Sequence, residues 1–234
     1  MTDQIDQPKR RGRPARISRE RIIDVARSME PSTLTMRAVA AELGVDPSAV
    51  NYHVTDRNTL LELVAEDVVL SQIDGARLPD EADWRDALRI FAARLRGAVI
   101  RSGSHSPYFR FPAGGAPHAL GIVEDLSERL ARAGMDADDT IRAVTAVNQI
   151  TFAAAREAVL TADGRQHPQL AEMKRALGEL DADGLRGARA VIERWEPGSD
   201  VQFEYNIELL IAGIEHRLAA AKPTSNTGPG RTAS

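Results

Sequence analysis

The segment LTMRAVAAELGVDPSAVNYHVTDRNTLLELVAEDV, Leu34 to Val68, holds two short helical patterns separated by one tight turn. Apolar residues recur at helical spacing in the first pattern: Met36, Val39, Ala40 and Leu43. Gly44 supplies a left-handed residue that ends this helix. Asp46 is then an N-cap and Pro47 takes the first helical position, where a missing N–H costs nothing. The segment therefore predicts a helix-turn-helix, with the second helix facing outward.

Outside this segment the pattern is helical along most of the chain. A helix is predicted to begin at Ser18, another to run from Thr55 or Asp56 to about Ile73, and others over roughly 83–101, 116–133, 136–162, 167–178, 181–195 and 201–221. No strand alternation is present. We predict an all-α fold with a three-helix helix-turn-helix domain at residues 17–62 and a larger helical domain at 63–221. Residues 1–16 and 222–234 are predicted to be a disordered arm and tail.

Positive charge is concentrated at the front of the chain. Residues 9–21 hold seven Lys and Arg and one acid, although the whole chain has a net charge of −4. Residues 1–60 contain ten basic and eight acidic residues, whereas residues 61–234 contain 20 basic and 26 acidic residues. This distribution predicts that only the front of the protein meets a polyanion.

Several classes of protein are disfavoured by composition. The chain has no cysteine, which excludes disulfides and thiolate chemistry and fits a reducing cytoplasm. No apolar run approaches the roughly 20 residues of a membrane span, and the polar N-terminus does not resemble a signal peptide. The five histidines show no metal-ligand spacing, and no nucleophile motif or phosphate loop is present. We therefore expect neither an enzyme nor a cofactor or metal site, and no membrane partner.

The helix-turn-helix segment resembles the DNA-binding domain of the TetR family of bacterial repressors. The family pattern ends its second helix in two aromatic residues, His and Phe or Val, followed by a basic residue and a Leu-Leu pair. Tyr52-His53-Val54, Arg57 and Leu60-Leu61 match it, whereas Asn51 replaces the first aromatic residue. The stretches TIRAVTAVNQITFAAAREAV and FEYNIELLIAGIEHRL are similar to the last long helices of the tetracycline repressor subgroup.

The resemblance implies a DNA-binding face on the second helix. Asn51 is the candidate for contacting a base, because an Asn amide pairs with N6 and N7 of adenine; a phosphate contact or a solvated Asn is the alternative. Tyr52, His53 and Arg57 are candidates for phosphate contacts, and Arg37 for a phosphate or a base. A packing role for His53, and capping roles for Thr35 and Ser48, are left open. The predicted DNA-binding residues are Arg11, Arg13, Thr35, Arg37, Pro47, Ser48, Asn51, Tyr52, His53 and Arg57.

The N-terminal arm has its own candidate role. Arg11-Gly12-Arg13-Pro14 resembles the core of an AT-hook, a short element that lies in the minor groove of A·T-rich DNA. A narrow minor groove has an enhanced negative potential, which attracts extended arginine side chains. A generic basic tail that adds affinity through counterion release is the alternative.

The resemblance also implies a homodimer and a ligand pocket in the larger domain. Residues 136–162 and 201–221 are the candidate dimer helices, and their apolar stripe is either interface or intramolecular core. No histidine aligns as the metal ligand of the tetracycline repressor, so a mostly apolar effector is expected rather than magnesium–tetracycline. The predicted ligand residues are Ile73, Phe91, Leu95, Phe109, Phe111, Leu126, Phe152 and Glu157.

Two functions follow from these features. The first is a ligand-responsive transcriptional regulator that binds a palindromic double-stranded DNA operator as a homodimer and is released by a small, mostly apolar effector. The second is an architectural DNA-binding protein that uses the AT-hook-like arm and has no effector.

Overall fold

The structure is a computed structural model that describes residues 17–73, 78–110, 117–179 and 185–221. Within these ranges the secondary structure is helical and contains no strand, which confirms the predicted all-α class. The α-helices are α1 Arg19–Ala26, α2 Met36–Leu43, α3 Pro47–His53, α4 Arg57–Leu70, α5 Trp84–Arg101, α6 Pro117–Arg132, α7 Ala137–Thr161, α8 Pro168–Gly178, α9 Arg186–Arg194 and α10 Asp200–Ala221. Short 3-10 helices cover Gly103–Tyr108 (η1) and Ala162–Gly164 (η2).

Side-chain caps fix where most of the early helices begin. The oxygens of Ser18, Thr35 and Asp46 accept backbone N–H groups at the starts of α1, α2 and α3. α4 ends at Leu70, three residues before the predicted end, because Ile73 N donates to Leu70 O in a tighter i to i−3 turn.

The chain divides into two compact units, Met1–Val64 and Ala65–Ser234. α4 contains the last residues of the first unit and the first residues of the second. The first unit has a small core of aliphatic side chains from α1 to α4, which includes Ile22, Leu34, Val39, Val50, Leu60, Leu61 and Val64. The second unit is built on α5, α7 and α10, and α6 and η1 pack against α5 and α7.

The apolar stripe of α10 is part of the core of the second unit. Phe203, Ile207, Ile211 and Ile214 are buried among residues of their own chain, and Leu210 and Leu218 are partly buried against the same core. Of the two roles left open for this stripe, intramolecular core is therefore the one observed.

Arginine side chains of α5 form ion pairs and hydrogen bonds with α10 and with the loop that precedes α10. Arg96 Nη1 lies 2.7 Å from Asp200 Oδ1, Arg96 Nη2 donates to Gly198 O at 2.8 Å, and its guanidinium stands 4.9 Å over the Phe203 ring. Further along the same pair of helices, Arg89 donates to both carboxylate oxygens of Glu208 at 2.7 and 3.0 Å.

An ion pair also connects α10 to α7. Together with the Arg89–Glu208 pair, it makes the stability of the second unit depend on pH in the acidic range. Arg217 donates to both oxygens of Asp139 at 2.7 and 2.8 Å, and these bonds, with those from Arg142, hold the pKa of Asp139 below its ordinary value. The Arg89 bonds lower the pKa of Glu208 in the same way. Each carboxylate therefore stabilises the fold above its unfolded pKa of about 4, and that contribution is lost as the pH falls through the folded pKa.

We expect the stability difference between the wild type and Glu208→Gln to shrink as the pH falls from about 5 to about 3, where Glu208 itself becomes protonated. Thermal unfolding midpoints of both proteins across this range measure it. Because these charges are largely exposed, high salt should reduce the difference as well. A difference that stays constant with pH would contradict the assignment.

Candidate nucleic-acid interface and ligand site

The turn between α2 and α3 is closed by its own backbone. Gly44 adopts the left-handed conformation at φ 66°, Gly44 N donates to Ala41 O at 3.1 Å, and Val45 N donates to Ala40 O at 3.0 Å. This is the Schellman arrangement, which satisfies the last carbonyls of α2. Asp46 Oδ1 then accepts Ser48 N at 2.8 Å and begins α3 at once. The direction of α3 is therefore set by local hydrogen bonds.

α3 has one buried face and one exposed face. Val50 is fully buried, and Val54, at the end of the helix, is 2% exposed. Pro47, Ser48 and Asn51 are exposed, and Tyr52 is 86% exposed. The exposed face of α3 therefore presents polar side chains and one aromatic ring to the solvent.

The other predicted DNA-binding residues of the first unit lie at or near α2 and α3. Arg37 is exposed on the first turn of α2. Thr35 Oγ1 caps α2 by accepting Ala38 N at 3.0 Å, so its capping role is observed. His53 is half-buried and its ring meets that of Tyr52 edge-on, with centroids 5.2 Å apart. Arg11 and Arg13 lie outside the described residues.

Arg57 has a structural partner that the sequence did not reveal. Its Nε donates to Leu34 O at 2.7 Å and its Nη2 donates to Pro31 O at 2.6 Å, which ties the start of α4 to the loop before α2. Pro31 and Leu34 are buried residues and both bonds are partly buried, so these charge-assisted bonds satisfy carbonyls that have reduced access to water. The predicted phosphate contact of Arg57 stays a prediction.

Arg57→Ala is expected to destabilise the first unit by about 1.5–3 kcal/mol, because two partly buried carbonyls lose a charged hydrogen-bond donor. Chemical denaturation followed by circular dichroism measures this loss. Arg37→Ala is the matched control: its side chain is exposed, so stability should stay unchanged. The salt dependence of DNA binding tests the phosphate contact, since losing one contact lowers the slope of log K against log salt by about 1. Equal stability of the two variants would contradict the role of Arg57.

The second unit contains a narrow cleft where three of the predicted ligand residues meet. Its walls are formed by Ile73, Leu78, Phe91, Arg94, Leu95 and Ile122. The free space inside is about 10 Å³, roughly enough for one water molecule. A bound effector would therefore have to displace side chains from this cleft.

The remaining predicted ligand residues do not line this cleft. Phe109 and Phe152 pack against each other, with ring centroids 5.1 Å apart and planes at 39°. Leu126 is fully buried in the core, and Glu157 is half-buried on α7. Phe111 lies outside the described residues.

A second apolar row on α10 was not anticipated from the sequence. Val201, Tyr205 and Leu209 recur every four residues on the face opposite the core and are 75%, 59% and 55% exposed. Two separate apolar residues of α7, Ile141 and Leu160, are also exposed. The i, i+4, i+8 spacing was visible in VQFEYNIEL, but the buried stripe interleaved with it is longer and more apolar.

Comparison with known proteins identifies the family. A family model described as the tetracyclin repressor-like C-terminal domain matches residues 78–218, which is more than half of the chain. The chain belongs to the TetR family of transcriptional regulators. The class C tetracycline repressor protein of Escherichia coli is 28% identical over 186 residues, covering 78% of this chain and 81% of that protein. The class D protein of Escherichia coli is 27% identical over 221 residues, covering 88% and 93%.

A solved structure has the same fold. The Streptomyces coelicolor TetR family protein ActR, crystallised in complex with actinorhodin, matches with a TM-score of 0.69 and 22% identity, covering 89% of this chain and all of that one. Among the described residues of this TetR family member, no group of three or more His, Asp or Glu side chains could hold a metal ion. None of the described helices is both long and apolar enough to cross a lipid bilayer.

Proposed function

We propose that this TetR family member is a repressor that binds a palindromic DNA operator as a homodimer and releases it when a small, mostly apolar effector binds. The observation that carries the DNA-binding part is the exposed face of α3. Asn51 and Tyr52 are held in water there, while Val50 and Val54 anchor the helix from behind. A helix presented in this way fits the major groove, where its N-terminal residues meet base edges.

Within this proposal the residues have distinct roles. Asn51 contacts an adenine, and Arg37 reaches a phosphate or a base. Pro47 begins the helix that faces the groove. Ser48, Tyr52 and His53 contact phosphates, and Thr35 does so in addition to its cap. Arg57 adds a phosphate contact to its structural bonds, and Arg11 and Arg13 of the arm enter the adjacent minor groove.

The exposed apolar row of α10, formed by Val201, Tyr205 and Leu209, supports self-association. Exposed apolar side chains gain free energy when a second copy covers them. A two-fold interface places two α3 helices about 34 Å apart, one turn of the duplex, which matches a palindromic site.

The cleft and the position of α4 support an effector response. Ile73, in the cleft wall, follows α4 by three residues, and α4 continues into the first unit. An effector that displaces Ile73 would therefore act on the helix that leads to the DNA-binding face. To shift most molecules to the state that does not bind DNA, the effector must bind that state more favourably than the DNA-binding state, by a few kcal/mol of binding free energy. We propose no enzymatic activity and no metal or cofactor for this chain, and the cytoplasmic location stays a prediction.

The proposal is tested by selecting binding sites from random DNA and footprinting the enriched fragment. Asn51→Ala should reduce the binding free energy by about 1–3 kcal/mol for DNA that carries one particular A·T pair in each half-site. On DNA in which that pair is replaced, the substitution should have no effect, because the Asn51 amide pairs only with that adenine. Equal weakening on all sequences would reject the base contact. A short palindromic footprint supports the proposal, whereas broad protection of A·T-rich DNA would favour an architectural protein that uses the arm.

A further inference from the structure

The first unit carries more acidic than basic residues over its described length, although the proposed function requires it to bind DNA. Residues 17–64 hold five arginines, no lysine and seven acidic residues, a net charge of −2. Residues 1–16, which precede the described part of the chain, add five basic and two acidic residues. Phosphate contacts supply a large share of the affinity of DNA-binding proteins. The positions of the acidic residues therefore bear on how tightly this unit binds.

Two of these acidic residues stand on either side of the exposed face of α3. Asp46 directly precedes α3, and its Oδ1 accepts Ser48 N at 2.8 Å. Asp56 directly precedes α4, three residues after His53, and its Oδ1 accepts Thr59 N at 2.9 Å. Both aspartates are exposed. A duplex that contacts the exposed face of α3 would therefore bring its phosphates close to both carboxylates.

Both carboxylates keep their negative charge at neutral pH. Hydrogen bonds from Ser48 hold the pKa of Asp46 below its ordinary value, and the bond from Thr59 N does the same for the pKa of Asp56. The backbone N–H groups at a helix start otherwise attract anions such as phosphate. At the starts of α3 and α4 these groups already face a carboxylate of their own chain. A phosphate that approaches either position is therefore repelled.

Neighbouring cations do not neutralise the two carboxylates. The sequence of α3, PSAVNYH, contains no Lys or Arg. Arg57 is next to Asp56 in sequence, but its guanidinium donates to Leu34 O and Pro31 O. Within residues 17–73, neither Asp46 nor Asp56 takes part in a salt bridge, and hydrogen bonds account for the lowered pKa of each. Their charges are therefore left to act on the DNA.

We propose that Asp46 and Asp56 limit the affinity of this protein for DNA by repelling phosphates on both sides of α3. Binding that depends on phosphate attraction alone is then weak, and tight binding requires base contacts and the basic residues 1–16. This inference rests on the proposed function, since it concerns the same DNA-binding face. The competing role for the two aspartates is helix capping alone.

The test uses Asp46→Asn and Asp56→Asn, because asparagine caps a helix about as well as aspartate but carries no charge. Fluorescence anisotropy of the full chain with a labelled random-sequence duplex measures the affinity at an ionic strength of about 0.02 M. Each variant should bind about threefold to tenfold more tightly than the wild type. The double variant should show about the product of the two gains. All gains should shrink toward about 0.3 M salt, because salt screens exposed charges.

Asp138→Asn is the matched control. Asp138 lies in the first turn of α7 in the second unit, and its side chain is 78% exposed. Its substitution changes the net charge by the same amount, so DNA affinity should change by less than about twofold. Thermal midpoints separate charge from capping. The Asp46 and Asp56 variants should keep midpoints close to that of the wild type, whereas loss of a cap would lower both the midpoint and the DNA affinity.

Unchanged or weaker binding of the random-sequence duplex by either variant would overturn the role of that aspartate. An equal gain in Asp138→Asn would overturn the inference as a whole, because net charge alone would then explain the result. Site selection with the wild type tests the proposed function separately. A preferred DNA site together with no gain in the two variants rejects this inference alone, whereas absence of any preferred DNA site rejects the proposed function itself.

Discussion

Gly198→Ala is expected to destabilise the second unit by about 2–5 kcal/mol, which combines left-handed strain with overpacking. Gly198 has φ +77°, and a Cβ built there would lie 2.6 Å from both N and Cα of Ala158 and 2.8 Å from the carbonyl carbon of Glu157. These atoms belong to the backbone of α7, which cannot rotate away as a side chain would. The loop before α10 would have to leave α7, which would also disturb the Arg96 bond to Gly198 O.

The thermal midpoint measures this effect, and a loss of roughly 5–15 °C is expected for a protein of this size. Gly164→Ala is the matched control, because Gly164 has φ +73° and no heavy atom of the described residues within 4 Å of its Cβ position. Gly164→Ala should lower the stability only by the cost of placing alanine in the left-handed conformation, about 1–2 kcal/mol. Equal losses in the two variants would show that the close approach to α7 does not matter.

Leu209→Glu is expected to convert the proposed dimer into a monomer and to weaken binding to a palindromic operator by about 10²–10⁴-fold. The two-fold axis places the new carboxylate in the interface twice, and two tethered half-site contacts become independent ones. The fold should survive, because Leu209 is 55% exposed in its own chain. Sedimentation velocity measures the association state, and fluorescence anisotropy with labelled operator measures the affinity.

Val191→Glu is the control for this result. Val191 is 68% exposed on α9, outside the α10 row, so the same substitution there should change neither association nor DNA affinity. If Leu209→Glu stays dimeric and binds its operator normally, the exposed row of α10 is not the interface. If both variants become monomeric, the interface extends to α9.

The two buried polar side chains of α7, Asn148 and Thr151, could not have been identified from the sequence alone. Asn148 and Thr151 stand in an ordinary helical stretch, and nothing in TAVNQITFAAA indicates that they point inward. Phe109 and Phe152 were predicted as ligand residues through the family resemblance, but their mutual contact joins parts of the chain 43 residues apart. Long-range pairs of this kind are decided by packing, which local spacing does not encode.

The sequence by itself determined the local elements: a helix start at Ser18, Asp46 as a cap, Gly44 as the left-handed end of α2, Pro47 at the start of α3, and the all-α class. These features depend on hydrogen bonds within a few residues of each other, so the residue types alone specify them. Only the tertiary structure decided which apolar row of α10 is core and which is exposed, and that Arg57 bonds the carbonyls of Pro31 and Leu34. Both outcomes depend on which surfaces of helices distant in sequence contact one another. Because burial of apolar area is non-directional, the same helical pattern is compatible with several arrangements of the helices. Only the packing of the whole chain selects one of them.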